Sequence, residues 1–228
     1  MDYSVKMLLS EYSSVLEGYS GLLMVRLMNL CVKSNPVALI PVVIEHPRGD
    51  MPIEEVADAS VPDEEHIDVF PKVEDDIFII GKGILEAHPE FQMSQETMKS
   101  GDDEMHYLRF TMPKVDKNRR DVLLQAVDLF HEECKKQLLE TKGKYQPQLA
   151  DKLPNLSKEE ADKAQDEFDN IYKANTDSAK ETVEDKKKEI EEAYQRYLEK
   201  KKASEQAAQE QQAAEGEDVK SQFKMPTE

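Results

Sequence analysis

The sequence has no tryptophan, two cysteines and eight glycines in 228 residues. Cys31 and Cys134 have no CxxC spacing and no histidine beside them in sequence, which argues against a disulfide framework or a zinc finger. Each falls on an apolar helical stripe and reads as a core residue of a reducing compartment. The five histidines (His46, His66, His88, His106 and His131) are scattered without ligand spacing such as HExxH. Gly81-Lys82-Gly83 lacks the rest of a phosphate-cradling loop, and nothing resembles a nucleophile elbow. The acids Asp102-Asp103-Glu104 lack calcium-loop spacing. No apolar run approaches the ~18 residues of a membrane span. The start, MDYSVKMLLSEYSS, has neither the basic–apolar pattern of a secretory signal nor the arginines of a transit peptide. The expectation is a protein with no catalytic residue, no metal, no cofactor, no small-molecule substrate and no membrane partner.

What the chain does have is charge and helical periodicity. The net charge of −18 with 34% charged and 39% hydrophobic residues suits an elongated, helical, well-solvated molecule. Its placement is uneven: residues 41–110 hold 5 basic against 18 acidic residues, whereas residues 1–40 balance at 3 and 3. The acid excess is thus local, and the rest can carry a basic face toward phosphate.

The stretch at 111–140 organises the chain. Pro113 precedes Asp116, which can accept hydrogen bonds from the free N–H groups of a helix start. Leu123, Val127, Phe130, Cys134 and Leu138 then recur in steps of four and three, one face of a helix. A first helix over 3–31 has Leu8, Tyr12, Val15, Tyr19 and Leu22 in the same steps, widened by Leu9, Leu16, Leu23, Leu27 and Leu30. Asn35-Pro36 ends it, because the residue before a proline avoids helical geometry.

Residues 37–110 change character. VALIPVVIEH and HIDVFP read as strands, HYLRFTM as a last strand with Tyr107, Arg109 and Thr111 on one side, and IFII as a strand or a short helix. Gly143 and Pro147 interrupt regularity after the central helix. A third helix starts at Ser157-Lys158-Glu159-Glu160, a capping box. Its stripe runs Ala164, Phe168, Ile171, Asn175, Ala179, Val183, Lys186, Ile190, Ala193 and Tyr197, with Asn175 and Lys186 as interruptions. Beyond about 199 the large apolar residues thin out. The fold class expected is α+β: a three-helix bundle from 1–34 and 113–200, a small β/α/β domain over 35–112 inserted between helices 1 and 2, and a fraying or disordered tail over 201–228.

In this order the segments resemble the ribosome recycling factors. The stretch LCVKSNP aligns with the family's RTGRASP loop, keeping Lys33, Asn35 and Pro36, with Leu30 and Val32 in place of its first arginine and glycine. After it, NPVALIPVVIEHPRGDMPIEEVADASV is similar to the segment leading to TPLRQLASV. HIDVFP is similar to LKINVFD, RFTMPKVDKNRRDVLLQAV to VPLPPLTEERRKDL with its double arginine at Arg119-Arg120, and SKEEADKAQDEFDNIY to SEDEERRAQDEIQKLTD. The likeness covers roughly 5–198.

The resemblance implies an L-shaped, non-enzymatic translation factor. Its bundle would bind rRNA and proteins of the large ribosomal subunit. Its inserted domain would meet elongation factor G, whose GTP-driven movement splits post-termination ribosomes. Pro36 and Pro113 would mark the hinge. The rRNA-contacting candidates are Lys33, Asn35, Arg119, Arg120, Lys135, Lys136, Lys142 and Lys144. The family's arginine-rich VRNIRRDAN falls on QLLETKGKYQ, where only Lys142 lands on an arginine position, and lysine lacks the forked phosphate contact. The lost arginines and the acidic insertion point to a divergent, organellar member, mitochondrial in preference to a bacterial cytoplasmic one. Two alternatives remain open: a paralogue repurposed for assembly of an organellar large subunit, and an acidic helical adaptor without RNA contact.

Overall fold

The computed structural model describes residues 2–100 and 103–222. In chain order the elements are α1 (Tyr3–Met28), β1 (Val43–His46), β2 (Gly49–Pro52), a one-turn α2 (Ile53–Val56), β3 (Ala57–Ser60), β4 (His66–Pro71), α3 (Ile77–Ala87), β5 (Gln92–Ser100), β6 (Asp103–Thr111), α4 (Lys117–Ala150) and α5 (Lys158–Gln222). Helices α1, α4 and α5 pack on one another around one core. The elements between α1 and α4 enclose a second core.

In the bundle core Leu123, Val127, Cys134 and Leu138 of α4 are buried, with Phe130 packed at the edge. Tyr12 stacks on Phe168 with ring centroids 4.3 Å apart and meets Tyr145 at 5.4 Å, so all three helices share one aromatic contact. On α1 the seam drifts from the expected phase: Leu22 is 42% exposed while Leu23 and Leu27 are buried. A straight helix drifts by about 20° per heptad from a strict 4-3 seam, or about 40° from Leu8 to Leu22, enough to favour Leu23 over Leu22 at the core. The interruptions on α5 are accommodated by polar contacts. Asn175 accepts a hydrogen bond from Ser20 Oγ at 3.1 Å, and Lys186 pairs with Glu189 at 2.9 Å.

Both helix starts are capped as expected. Asp116 Oδ1 accepts from the Arg119 N–H at 2.8 Å, and Ser157 and Glu160 exchange side-chain-to-backbone contacts at 3.4 Å. Gly143 and Pro147 do not break α4. The buried stripe continues through Thr141, Tyr145 and Leu149, and packing outweighs the one hydrogen bond Pro147 cannot donate. At the other end, α5 remains helical to Gln222, past the point where composition predicts fraying. Residues 223–228 of the expected tail lie outside the described residues, as does Asp102.

The insertion contains an antiparallel β1–β2 hairpin, closed by Pro47-Arg48 and by Gly49 at φ 117°, a backbone region that favours glycine. A four-stranded antiparallel sheet follows in the order β3-β4-β6-β5. Ile67, Val69, Leu108 and Phe110 turn to the core. On the opposite face Arg109 grips the buried Asp68 bidentately at 2.7 and 2.8 Å, and Tyr107 stacks on Phe70. The IFII stretch is helical, opening α3, which lies against the β1 hairpin and β6. Gly81 and Gly83 let it approach closely: a Cβ on Gly83 would lie 2.6 Å from Ile44 Cδ1, and one on Gly81 would lie 2.8 Å from Met93 Sδ. Strand β5, QMSQETMKS, has no counterpart among the expected strands.

Candidate functional site

Two segments join the cores, 29–35 leaving α1 and 112–116 entering α4, and both are fastened to the β3–β4 loop. The Ser34 N–H donates to Glu64 C=O at 2.9 Å, the Ser34 hydroxyl donates to Asp63 C=O, and the Met112 N–H donates to Glu65 C=O at 2.7 Å. Asp63 shapes the loop by accepting from the Glu65 and His66 N–H groups at 2.7 and 2.9 Å. Hydrogen bonding to His66 holds its carboxyl below the usual carboxylate range.

Helix α5 reaches the same loop from the bundle side. Arg196 Nε lies 3.5 Å from Glu64 Oε2, and Lys200 Nζ lies 2.5 Å from Glu65 Oε1. That contact lowers the Glu65 pKa and raises that of Lys200. Between these groups and the two connecting segments is a cavity of about 470 Å³. Lys33, Lys114, Arg196, Lys200, Lys201 and Tyr197 are among the residues that line it.

The eight cationic and polar candidates from the sequence do not form one patch. From Arg119 to Lys144 they span about 37 Å of α4, at 1.5 Å per residue. Lys33 is exposed at the cavity rim and makes no hydrogen bond or ion pair among the described residues. Asn35 accepts from the Val37 N–H at 3.0 Å and caps the 3-10 turn that starts at Pro36. Pro113 lines the cavity.

Arg119 faces inward. Its guanidinium donates to Cys31 C=O at 3.0 Å across the corner, Nε is buried without a partner, and burial lowers its pKa. Arg120 bonds Asp121 at 2.7 Å and lies over the Tyr194 ring at 4.5 Å, and the Asp121 contact raises its pKa. Lys135 pairs with Glu132 at 2.7 Å, Lys136 with Glu140 at 3.9 Å, and Lys142 with Asp169 at 2.8 Å. Lys144 is exposed, with Tyr145 as its ring neighbour. Water screens surface pairs such as Lys135–Glu132 and Lys136–Glu140, so an incoming phosphate can displace the carboxylate at small cost there.

Sequence reasoning missed Lys114, Arg196, Lys200 and Lys201. The run Lys200-Lys201-Lys202 was visible but fell in the stretch read as a fraying end. Only the antiparallel packing of α4 and α5 brings Lys200 opposite Lys114. Beside Arg119 the fold also gathers Cys31 from one segment and His88 and Glu90 from another, three residues with metal-ligating side chains.

A family model described as "Ribosome recycling factor" matches residues 28–190, more than two thirds of the chain. No curated protein matches. A solution structure of the ribosome recycling factor is similar over 84% of this chain and 100% of its own, at 16% identity and a TM-score of 0.66. A second similar chain comes from models for the T. thermophilus ribosome recycling factor and the E. coli elongation factor G bound to the E. coli post-termination complex. There the identity is 23%, the TM-score 0.54, and the coverage 82% of this chain and 98% of that one. The L-shaped α+β fold expected from the resemblance is shared with these structures.

Proposed function

The chain belongs to the ribosome recycling factor family, and from that membership we propose that it binds the large ribosomal subunit and splits post-termination ribosomes with elongation factor G and GTP. The observation that carries this reading is the arrangement of the two bodies. A rigid bundle and a small sheet domain meet at a corner whose two connecting segments are fastened to one loop, an arrangement that transmits force rather than catalyses. The bundle (1–34 and 113–200) is the ribosome-binding body, and the insertion (35–112) meets the GTPase. A recycling factor and elongation factor G occur together on the post-termination complex to which the second similar chain belongs, which supports the same partners here. Lys33, Asn35, Arg120, Lys135, Lys136, Lys142 and Lys144 are the candidate rRNA contacts of this reading, spread along the bundle, and Arg119 positions the corner.

A second reading is favoured by the carboxylate beside each of Lys135, Lys136 and Lys142, together with the acidic insertion. It is a mitochondrial paralogue that holds the large subunit during assembly without splitting it. A splitting assay decides between the two. Purified chain, elongation factor G and GTP are added to post-termination ribosomes, and subunits are followed by light scattering. Dissociation that requires all three components supports recycling. Salt-sensitive binding without dissociation supports the assembly role, and no binding at low salt removes both.

A further inference from the structure

Cys31, His88 and Glu90 meet where the segment leaving α1 packs against the end of α3. His88 caps α3, its N–H bonding Ile84 C=O at 2.8 Å, and its ring stacks on Phe91 at 4.6 Å. On one side of the ring Nε2 donates to Ala38 C=O at 2.9 Å. That bond requires a proton on Nε2, so once the ring is neutral its lone pair is on Nδ1, facing Cys31 and Glu90, the outer-shell arrangement typical of metal-bound imidazoles.

Nδ1 is buried, yet its two neighbours are too far away for good hydrogen bonds. Cys31 Sγ lies at 3.9 Å and Glu90 Oε1 at 3.5 Å. An N–H···O contact of 3.5 Å lies beyond the favourable range. A tetrahedral ion with metal–sulfur ~2.3 Å and metal–nitrogen or –oxygen ~2.0–2.1 Å requires ligand atoms roughly 3.3–3.6 Å apart. The three ligand atoms all lie within 4.8 Å of one another.

We propose that Cys31 Sγ, His88 Nδ1 and Glu90 Oε1 form a three-ligand site for a divalent transition ion of borderline softness, zinc in the first instance, that fastens the first connecting segment to the insertion. The mixed sulfur–nitrogen–oxygen set suits zinc, and the Glu90 side chain, 30% exposed, gives the site access to solvent for a water as fourth ligand. Two features oppose a cation. The Arg119 guanidinium stands beside the site, and a proton competes for His88. Burial pushes the His88 pKa down while the contacts with Cys31, Glu90 and Ala38 C=O pull it up to about 10. Metal uptake therefore releases a proton and weakens as pH falls.

The test is a titration of the full-length chain, stripped of metal and reduced, with Co²⁺ alone. One equivalent is expected to give a thiolate-to-cobalt charge-transfer band and four-coordinate visible bands, both displaced by Zn²⁺. Cys134→Ser should leave them unchanged and Cys31→Ser should abolish the charge-transfer band. Glu90→Gln, at a partly exposed position, should weaken Co²⁺ binding at least tenfold even if the Cys31 variant does not fold. A chain that gives no charge-transfer band, keeps it without Cys31, or binds Co²⁺ equally well as Glu90→Gln overturns the proposal. None of these readouts depends on ribosome binding, so failure here leaves the translation role standing, and the reverse also holds.

Discussion

Replacing Arg119 by Ala separates two roles that an arginine at this position could have. Its guanidinium donates to the Cys31 carbonyl at 3.0 Å across the corner. A hydrogen bond from a charged donor contributes about 1.5–3 kcal/mol, and its loss leaves a carbonyl short of a partner. Part of that loss is returned, because Nε is buried without an acceptor in the native protein. The net expectation is a destabilisation of about 1–2 kcal/mol, or roughly 2–8 °C in Tm at about 2–4 °C per kcal/mol for a chain of this size. Binding to large subunits should keep its salt dependence. By contrast, each true phosphate contact removed lowers the slope of log K against log salt by about 0.7–0.9. Urea melts and co-sedimentation from low to high salt, run on Arg119→Ala beside Lys144→Ala, provide both readouts. An Arg119→Ala chain as stable as the parent, with a slope shallower by about one contact, would refute the inward-facing assignment and return Arg119 to the RNA face.

Two further outcomes follow from the insertion. Gly83→Ala places a methyl group 2.6 Å from Ile44 Cδ1, a fully buried side chain with little room to move. Overpacking of about 1–3 kcal/mol should exceed the ~0.8–1 kcal/mol gained in helix propensity, so thermal denaturation should show a lower Tm. The β3–β4 loop should loosen in acid. The Asp63 and Glu65 pKa values are lowered in the folded chain by His66 and Lys200, so their stabilisation is present above about pH 4, near the unfolded values, and is lost as pH falls through the lowered ones. Amide exchange at Ser34 and Met112, which donate to this loop, should stay slow from pH 7 to 5 once corrected for intrinsic rates, and lose protection below about pH 4.

The bundle was legible because burial and periodicity agree along α4 and most of α5, and because the caps at Asp116 and Ser157 are local. The misreadings have specific physical causes. The IFII stretch has Ile77, Ile80 and Ile84 buried on a helix that also packs through Gly81 and Gly83, and its exposed face opens on Phe78 before Lys82 and Glu86, so within IFII itself no polar residue marks the period. Strand β5 lies at the sheet edge with Met93 and Met98 more than 40% exposed, and its composition lacks an apolar run. Pro147 looked like a breaker because sequence cannot show that Tyr145 and Leu149 on either side are buried. The corner was the least legible part. Lys33, Lys114, Arg196 and Lys200 come from three distant segments, and Cys31 finds His88 57 positions further along the chain.

The paired attachment of the insertion has a mechanical consequence. A domain hung on one strand can swivel about three axes, like a ball in a socket. Here both strands leave the same corner, with Ser34 and Met112 bonded to the adjacent carbonyls of Glu64 and Glu65. Two connections resist twist more than one would, and the Arg196–Glu64 and Lys200–Glu65 pairs tie the same loop to α5, so any swing of the insertion has to break or stretch them.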